Sequence, residues 1–527
     1  MKKKFAAMLL FIAAATLSRA QTKVFKAVSG EISSQMKTIW QDGTLVGYLV
    51  FTELEKASAD SFNYKITIMD ENLNDIGTVN FREEKLMLQA VAFEQDILCL
   101  AYLKSNIIGK EFRNAKEYRA ALPNARSDIF TQFLNLNGKI IKSNTVKAEL
   151  GRSTDYLPGT SGHPTAIGKL HQQIQLRNIP QQGFACFYAD DSRSGILFYN
   201  TAGKSTWWKP VPYDAKSYLL FTSGQYAYML IKRDEKIGEG GFELMGFNTR
   251  DSSVIPRYVL KDKQGNSLRP LRLDNDPVTG KPYISGYIVS PDHENARTTG
   301  GQFSRGAYCG LFTVNLNGPK KNDIQEIFSY WGKGSLAGIS RKGFMRESDA
   351  YPHFTESFRD YQGNTYFAGS NIQRRVRWVA IGISAITLPL IYPPVGLVGS
   401  GGIYKCKKKD VVLLRQDAKG AFSFEKSIPA EYSKFWEGKY PLDVIDNRSF
   451  LSVQNPDTKT NYLVVDDDRS TLIYNVTQKK IVRTIAHQTK HQDGDIVTAV
   501  FSAKEGHIMV SEFNKKERSV RYSIEAL

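Results

Sequence analysis

One pattern limits what this chain can become more than any other. Short apolar runs, rich in β-branched and aromatic residues, end repeatedly in an Asn/Asp/Gln/Lys-Gly corner, and a second such run follows. Three copies are nearly interchangeable: Phe133-Leu134-Asn135-Leu136-Asn137-Gly138-Lys139, Phe312-Thr313-Val314-Asn315-Leu316-Asn317-Gly318 and Leu197-Phe198-Tyr199-Asn200-Thr201-Ala202-Gly203-Lys204. Glycine adopts φ > 0 without steric cost and Asn or Asp does so better than most residues, so such corners close β-hairpins. The corner glycines fall at Gly77, Gly138, Gly203, Gly265, Gly318, Gly363, Gly420 and Gly506. Most of these intervals are roughly 45–65 residues, a length that suits a four-stranded propeller blade with variable loops. The expectation is an all-β, β-propeller-like fold of seven or eight four-stranded blades. The alternative is a pair of stacked β-sandwich domains, which also give many short strands with frequent turns.

No Pro-, Gly- or Ser-rich stretch is long enough to be a linker, so residues 21–527 read as one propeller-like domain. Segments 496–501 and 508–513 read as a terminal hairpin that closes the ring and hides sheet edges. Segments 111–121 and 430–438 read as short surface helices between hairpins.

The first residues set a compartment. Lys2-Lys3-Lys4 is a basic start, Phe5 through Leu17 is apolar, and Ser18-Arg19-Ala20 supplies small residues before Gln21. This order predicts a secretory signal peptide cleaved between Ala20 and Gln21, its apolar core too short to span a bilayer as a helix. No Cys follows the cleavage point, which argues against a lipid anchor. The formal charge is +17 for 527 residues, and removing four basic residues with the signal leaves about +13. An exported basic surface attracts an anionic glycan, an acidic envelope protein or an anionic membrane surface. Nucleic acid is not expected, because no recognition motif appears and export removes the usual partner.

The chain as a whole resembles the uncharacterised secreted propeller-like proteins of Bacteroidota-type bacteria. The resemblance rests on the signal ending before Gln21, the run Ile66-Thr67-Ile68-Met69-Asp70-Glu71-Asn72-Leu73, the turn Asp360-Tyr361-Gln362-Gly363-Asn364 and the strand Val411-Val412-Leu413-Leu414. That group implies a fold and an exported location, and no activity. WD-type and kelch-type signatures are absent.

The segment 374–410 is an apolar insertion with basic flanks. Arg374, Arg375 and Arg377 precede a charge-free stretch that opens at Trp378, and Lys405, Lys407, Lys408 and Lys409 follow it. Pro389, Pro393 and Pro394 interrupt it, leaving far fewer than the roughly 20 residues a membrane-spanning helix needs. Two readings stand: a loop that packs on the propeller or plugs its channel, and a peripheral membrane or partner contact in which Arg374, Arg375, Arg377, Trp378, Lys407, Lys408 and Lys409 meet anionic headgroups.

Chemistry-bearing patterns are sparse. His487 and His491 are four apart with Asp493 nearby, a weak candidate metal set, but the surrounding Gln, Thr, Lys and Gly residues read as loop. No cofactor is predicted; structural calcium is left open at acidic turns such as Asp466-Asp467-Asp468, which lack the spacing of a calcium loop. Asp274-Asn275-Asp276-Pro277-Val278-Thr279-Gly280 reads as a turn. Cys99, Cys186 and Cys309 lie in apolar runs and read as core thiols, although an exported chain permits disulfides. Trp207, Trp208 and Tyr213 form an aromatic cluster. Successive strand residues face opposite sides, so at most one tryptophan naturally enters the core; either the other is offered to a sugar or a protein on an outer face, or both pack between blades. The expected function is an exported, non-enzymatic binding or scaffold protein of the cell envelope. The alternative is a secreted glycan-acting hydrolase or lyase using the propeller channel, whose mark would be two carboxylates facing each other across a cleft.

Overall fold

The computed structural model describes residues 21–26, 33–58, 61–107, 114–148, 173–190, 193–212, 215–233, 241–290, 307–332, 338–376, 404–429, 434–436, 448–467, 469–487 and 496–527. The described residues form an all-β propeller of eight blades, each built on four strands, with one further short strand added to the sixth. In chain order the blades span residues 33–83, 86–147, 173–211, 215–259, 268–330, 351–428, 449–486 and 496–526. In the first seven, strands adjacent in sequence are adjacent in the sheet. The eighth has three C-terminal strands, and its fourth is the N-terminal strand Gln21–Lys26. That strand pairs antiparallel with Ser519–Ala526, Gln21 opposite Ile524. The terminal hairpin read from the sequence is present, with Ile496 opposite Asn514, and the chain's first strand completes its sheet.

Burial explains why the strands read as they do. Second strands such as Gly183–Ala189 and Pro282–Val289 are buried on both faces and consist of near-continuous apolar residues. Fourth strands are exposed, as in Lys480–Ala486 and Ile140–Lys147. Pro210 and Pro256 lie on fourth strands, where a missing N–H costs no ladder bond and discourages pairing with another chain.

The turn that dominates the sequence is built on its first residue more than on its glycine. In six blades the corner between third and fourth strands opens on Asp70, Asn135, Asn200, Asn248, Asp417 or Asn475, whose side-chain oxygen accepts a backbone N–H at 2.7–3.0 Å. Each corner then needs one left-handed residue. Gly138, Gly203 and Gly420 supply it in three, but Leu73, Ser252 and Lys479 occupy the same conformation in the others. Gly77 is not a corner: it lies within Asp75–Glu83. Gly363 and Gly506 turn first strands into second ones. Gly265 lies on the path from Val254–Val259 of one blade to Leu268–Asn275 of the next, so the glycine spacing mixes three kinds of turn, which is why it is uneven. Leu73 shows what sets the exception: it is 4% exposed within a cluster with Leu45, Tyr48, Met69 and Met509. Its burial is worth about 1.5–3 kcal/mol, against about 1–2 kcal/mol for a left-handed backbone.

Two compact units account for the described residues. One comprises Met1–Glu84, Asn135–Lys139 and Val453–Leu527. Its core joins the first blade to the eighth through Tyr48, Val50, Leu73, Met509 and Ile524, with Phe25 edge-on to Tyr522 at 5.8 Å. The other comprises Lys85–Leu134 and Ile140–Ser452. There the first strands of consecutive blades lie against one another, and each blade pair shares an apolar cluster. Phe133, Cys99 and Cys186 join blades two and three; Phe187, Leu220 and Met229 join three and four; Leu230, Ile284 and Phe312 join four and five; Tyr287, Phe354 and Val412 join five and six.

Two helix expectations meet different outcomes. Ala115–Ala121 is a helix followed by a 3-10 turn at Leu122–Asn124. Of segment 430–438 the described residues correct the expectation: Lys434–Trp436 is a short strand, a fifth in its sheet, paired with residues 405–407, and the rest of the segment lies outside the described residues. The aromatic spacing there that suggested a helix is overridden by an available strand edge. That edge exists because Thr365–Val376 and Tyr404–Gln416 form a hairpin longer than its blade, paired out to Val376 opposite Tyr404. Residues 377–403, the body of the apolar insertion, lie outside the described residues. The described residues on either side of that insertion, Val376 and Tyr404, are paired neighbours in the hairpin. No helix among the described residues is long and apolar enough to cross a membrane.

Candidate functional site

A group of charged side chains lies on the first strands of blades five and six. Leu268–Asn275 and Tyr351–Arg359 each contain one residue more than the strand they pair with, Leu271 and Thr355 respectively. A bulge interrupts the alternation of a strand and re-aims the residues after it. Beyond the bulges, Arg272 and Asp274 share a face, two residues apart, and Glu356 comes up beside them.

Arg272 holds both acids. Its Nε and Nη2 donate to Asp274 Oδ2 at 2.9 and 2.7 Å, and its Nη1 donates to Glu356 Oε1 at 3.0 Å. Ser452 Oγ donates to the same Glu356 oxygen at 3.3 Å. Glu356 is 12% exposed, and its burial pushes the carboxyl up to about 7; the Arg272 charge opposes this, Asp274 adds to it and the Ser452 hydrogen bond opposes it. Burial prevails because one guanidinium is shared between two carboxylates.

A second pair lies beside the first. Arg359 Nη1 donates to Asp276 Oδ2 at 2.8 Å, and its Nη2 donates to Asn315 Oδ1 at 2.6 Å. The guanidinium carbon stands 4.3 Å from the centre of the Tyr283 ring, a cation–π contact. Asp276 also caps the turn after it, its Oδ1 accepting from the N–H of Val278 at 2.9 Å and of Thr279 at 2.8 Å. Burial works to raise the Asp276 carboxyl, and it is outweighed by Arg359 and those two backbone donors, which hold it below the usual carboxylate range. The turn read at 274–280 is thus present, but Asp274 belongs to the strand before it.

The two acids act on stability in opposite pH windows. Glu356 binds its proton more tightly folded than unfolded, so its contribution is complete below about pH 4.5 and is lost as pH rises through about 7. Asp276 contributes above its unfolded value and loses that contribution as pH falls through its lowered one. Glu356→Gln is therefore expected to flatten the decline in urea midpoint between pH 4.5 and 7.5, by up to ~3 kcal/mol. Equal slopes for wild type and variant would refute the assignment.

Residues 1–111 match DUF6770, a family of unknown function. The resemblance to uncharacterised proteins holds at that level, over the first part of the chain. No curated protein matches it. Among solved structures the chain is similar to the WD40 domain of SCAP from fission yeast, at 7% identity, covering 96% of this chain and 98% of that one with a TM-score of 0.40. It is also similar to BamB from Moraxella catarrhalis, at 8% identity, 95% and 99% coverage and a TM-score of 0.33. A third is a protein of unknown function from Bacteroides caccae, at 11% identity, 73% and 94% coverage and a TM-score of 0.25.

The residues singled out in the sequence lie elsewhere. Trp207 turns inward and stacks on Phe198, ring centres 3.4 Å apart, while Trp208 is 43% exposed on the fourth strand Ser205–Val211. Tyr213 lies outside the described residues. Arg374 and Arg375 are paired in the long hairpin, opposite Cys406 and Lys405, and Lys407 lies opposite Gln373; Arg377 and Trp378 lie outside the described residues. Lys408 is corrected as a surface contact: it is 1% exposed. Lys409 donates to the Ser348 carbonyl at 2.5 Å.

His487 does not meet a second histidine among the described residues, since His491 and Asp493 fall outside them. Its Nε2 lies 2.8 Å from Thr471 Oγ1 and 3.3 Å from Asp466 Oδ1, tying two strands of the seventh blade. Among the described residues no cluster of three or more His, Cys, Asp or Glu is placed to hold a metal ion. Cys99, Cys186 and Cys309 are free thiols, and burial pushes Cys186 up to about 12 and Cys309 up to about 11, which suppresses their reactivity. The Arg272 cluster escaped the sequence reading because its acids are 82 residues apart (356 − 274). The available signal was Arg272-Leu273-Asp274-Asn275-Asp276, three charges on one strand face and its exit.

Proposed function

We propose that this chain is an exported, non-enzymatic binding or scaffold protein of the cell envelope, recognising an envelope protein, a glycan or another anionic surface. One observation carries the non-enzymatic half of the reading: Asp274, Glu356 and Asp276 are each engaged by an arginine. Two carboxylates that cleave a glycoside must leave room between them for the glycosidic oxygen or a water. Here the Arg272 guanidinium sits between Asp274 and Glu356. The raised Glu356 carboxyl is what favours the second reading, a glycan-acting hydrolase or lyase, since a general acid needs such a value; that role would require Arg272 to move aside.

The binding half draws on the excess positive charge and on Trp208, a flat aromatic on an outer strand. The test uses the purified chain from Gln21 onward, on an array of acidic and neutral polysaccharides with a reducing-sugar assay alongside. Binding to acidic polymers that weakens with salt, and falls about tenfold in Trp208→Ala, is the expected result. Release of reducing ends that is lost in Glu356→Gln would replace this reading with the hydrolase.

A further inference from the structure

A groove of about 380 Å³ runs between the outer parts of the fourth and fifth blades. Its size is at the small end of the ~300–1,000 Å³ typical of ligand pockets. Its floor is apolar, made by Tyr228, Leu244, Ile255, Leu316 and Ile324. Tyr228, Leu244 and Leu316 are themselves buried, so the floor is part of the packed interior and does not need a ligand to hold its shape.

The outer wall is bent by design of the chain. Leu244 pairs with Tyr258 and Gly246 with Ile255, so Val254–Val259 carries one extra residue across this step. The bulge falls at Pro256 and Arg257, where proline has no N–H to lose. Ile255 lies directly over Gly246, and a side chain there would collide with it at 2.7 Å. The strand thus leans over a residue without a Cβ, and the groove opens beside it.

The rim is basic. Arg257, Lys261 and Lys321 line it, with Glu326 as the acidic residue among the lining side chains. Glu326 is engaged: Tyr258 Oη donates to its Oε1 at 2.5 Å. Burial and Glu326 both push the Tyr258 hydroxyl up, so it stays a donor across the working pH range. Arg257 is paired with Glu243. Lys321, exposed on the short 3-10 turn Lys321–Asp323, brings an ammonium to the mouth.

We propose that this groove binds a small amphiphilic anion, an aryl or acyl group seated on the apolar floor with its carboxylate or sulfonate directed to the Lys321 side of the rim. Charge complementarity selects the anion: with Arg257 matched by Glu243, the lining still holds two lysines, Lys261 and Lys321, against one carboxylate, Glu326. A cationic ligand would meet net repulsion, and a neutral one would gain from the floor alone. The proposal does not depend on the glycan or protein partner proposed above, because Trp208 belongs to the third blade.

The test uses the full chain from Gln21 with two fluorescent probes, anionic 1-anilinonaphthalene-8-sulfonate and uncharged N-phenyl-1-naphthylamine. Saturable binding of one sulfonate probe per chain is expected. Lys321→Glu should weaken it at least fivefold and change the uncharged probe less than twofold, and Ile255→Trp, which fills the groove, should abolish both. Circular dichroism melting identifies a variant that has lost its fold, and Val259→Trp, a bulky uncharged change at the exposed wall, then replaces it as a blocking change. Unaltered sulfonate affinity in folded Lys321→Glu, or survival of both probes in a folded groove-filling variant, overturns the proposal.

Discussion

Arg359→Ala is expected to destabilise the protein by about 3–5 kcal/mol, the usual cost of removing one partner from a buried ion pair. Arg359 and Asp276 are 7% and 8% exposed. Without the arginine the Asp276 carboxylate keeps its two backbone donors but loses its counter-charge, and Asn315 loses its guanidinium donor. The Tyr283 face loses its cation as well. Two readouts follow: the urea midpoint falls at neutral pH, and the acid loss that begins as Asp276 protonates becomes shallower, because the carboxyl is no longer held so far down. Arg359→Lys should recover part of the midpoint, since a lysine keeps the charge and lacks the planar fork that reaches Asp276 and Asn315 together. A loss below about 1 kcal/mol in Arg359→Ala, the range of an exposed pair, would show that water replaces the arginine.

Gly369→Ala should be comparably damaging, at about 3 kcal/mol or more, although it adds one methyl group. Gly369 faces the bulge of the sixth blade's first strand, opposite Phe354. A Cβ there would press on the His353 carbonyl oxygen and come within 2.6 Å of the Phe354 Cα. These are backbone atoms, so no side-chain rotation relieves the clash and the bulged strand must shift. The fifth blade repeats the arrangement, with Gly286 opposite Pro270 and a Cβ 2.8 Å from the Pro270 Cα. Because Glu356 follows the bulge by one residue, the shift also loosens its hold on Arg272. The expected signature is a lower melting temperature together with a smaller stability change between pH 4.5 and 7.5. An alanine variant with wild-type melting and wild-type pH dependence would mean that the bulge does not rest on this glycine.

Much of the architecture was readable before any coordinates, for physical reasons that can be named. Third strands end in Asn or Asp because a side-chain oxygen there replaces a ladder partner for the turn's N–H groups, and six such corners carry the bond. Second strands read as unbroken apolar runs because both of their faces are covered. Alternation puts Trp207 and Trp208 on opposite sides of one strand, and the fold leaves Trp207 partly buried on Phe198 and Trp208 exposed. The glycines misled where they served a different purpose: Gly77 lies in a strand, and Leu73 does the work of a corner glycine. Segment 434–436 was misread because its neighbours in the sheet are about thirty residues distant.

What the residues alone settled is local: strand and corner. Each of these depends on side chains within a few positions, so a linear reading reaches them. Tertiary structure decided the eighth blade, in which Gln21 pairs with Ile524, and the cluster in which Arg272 joins Asp274 to Glu356. It also fixed the ionisation of Glu356, since burial and the sharing of a single guanidinium exist only once separate blades have come together.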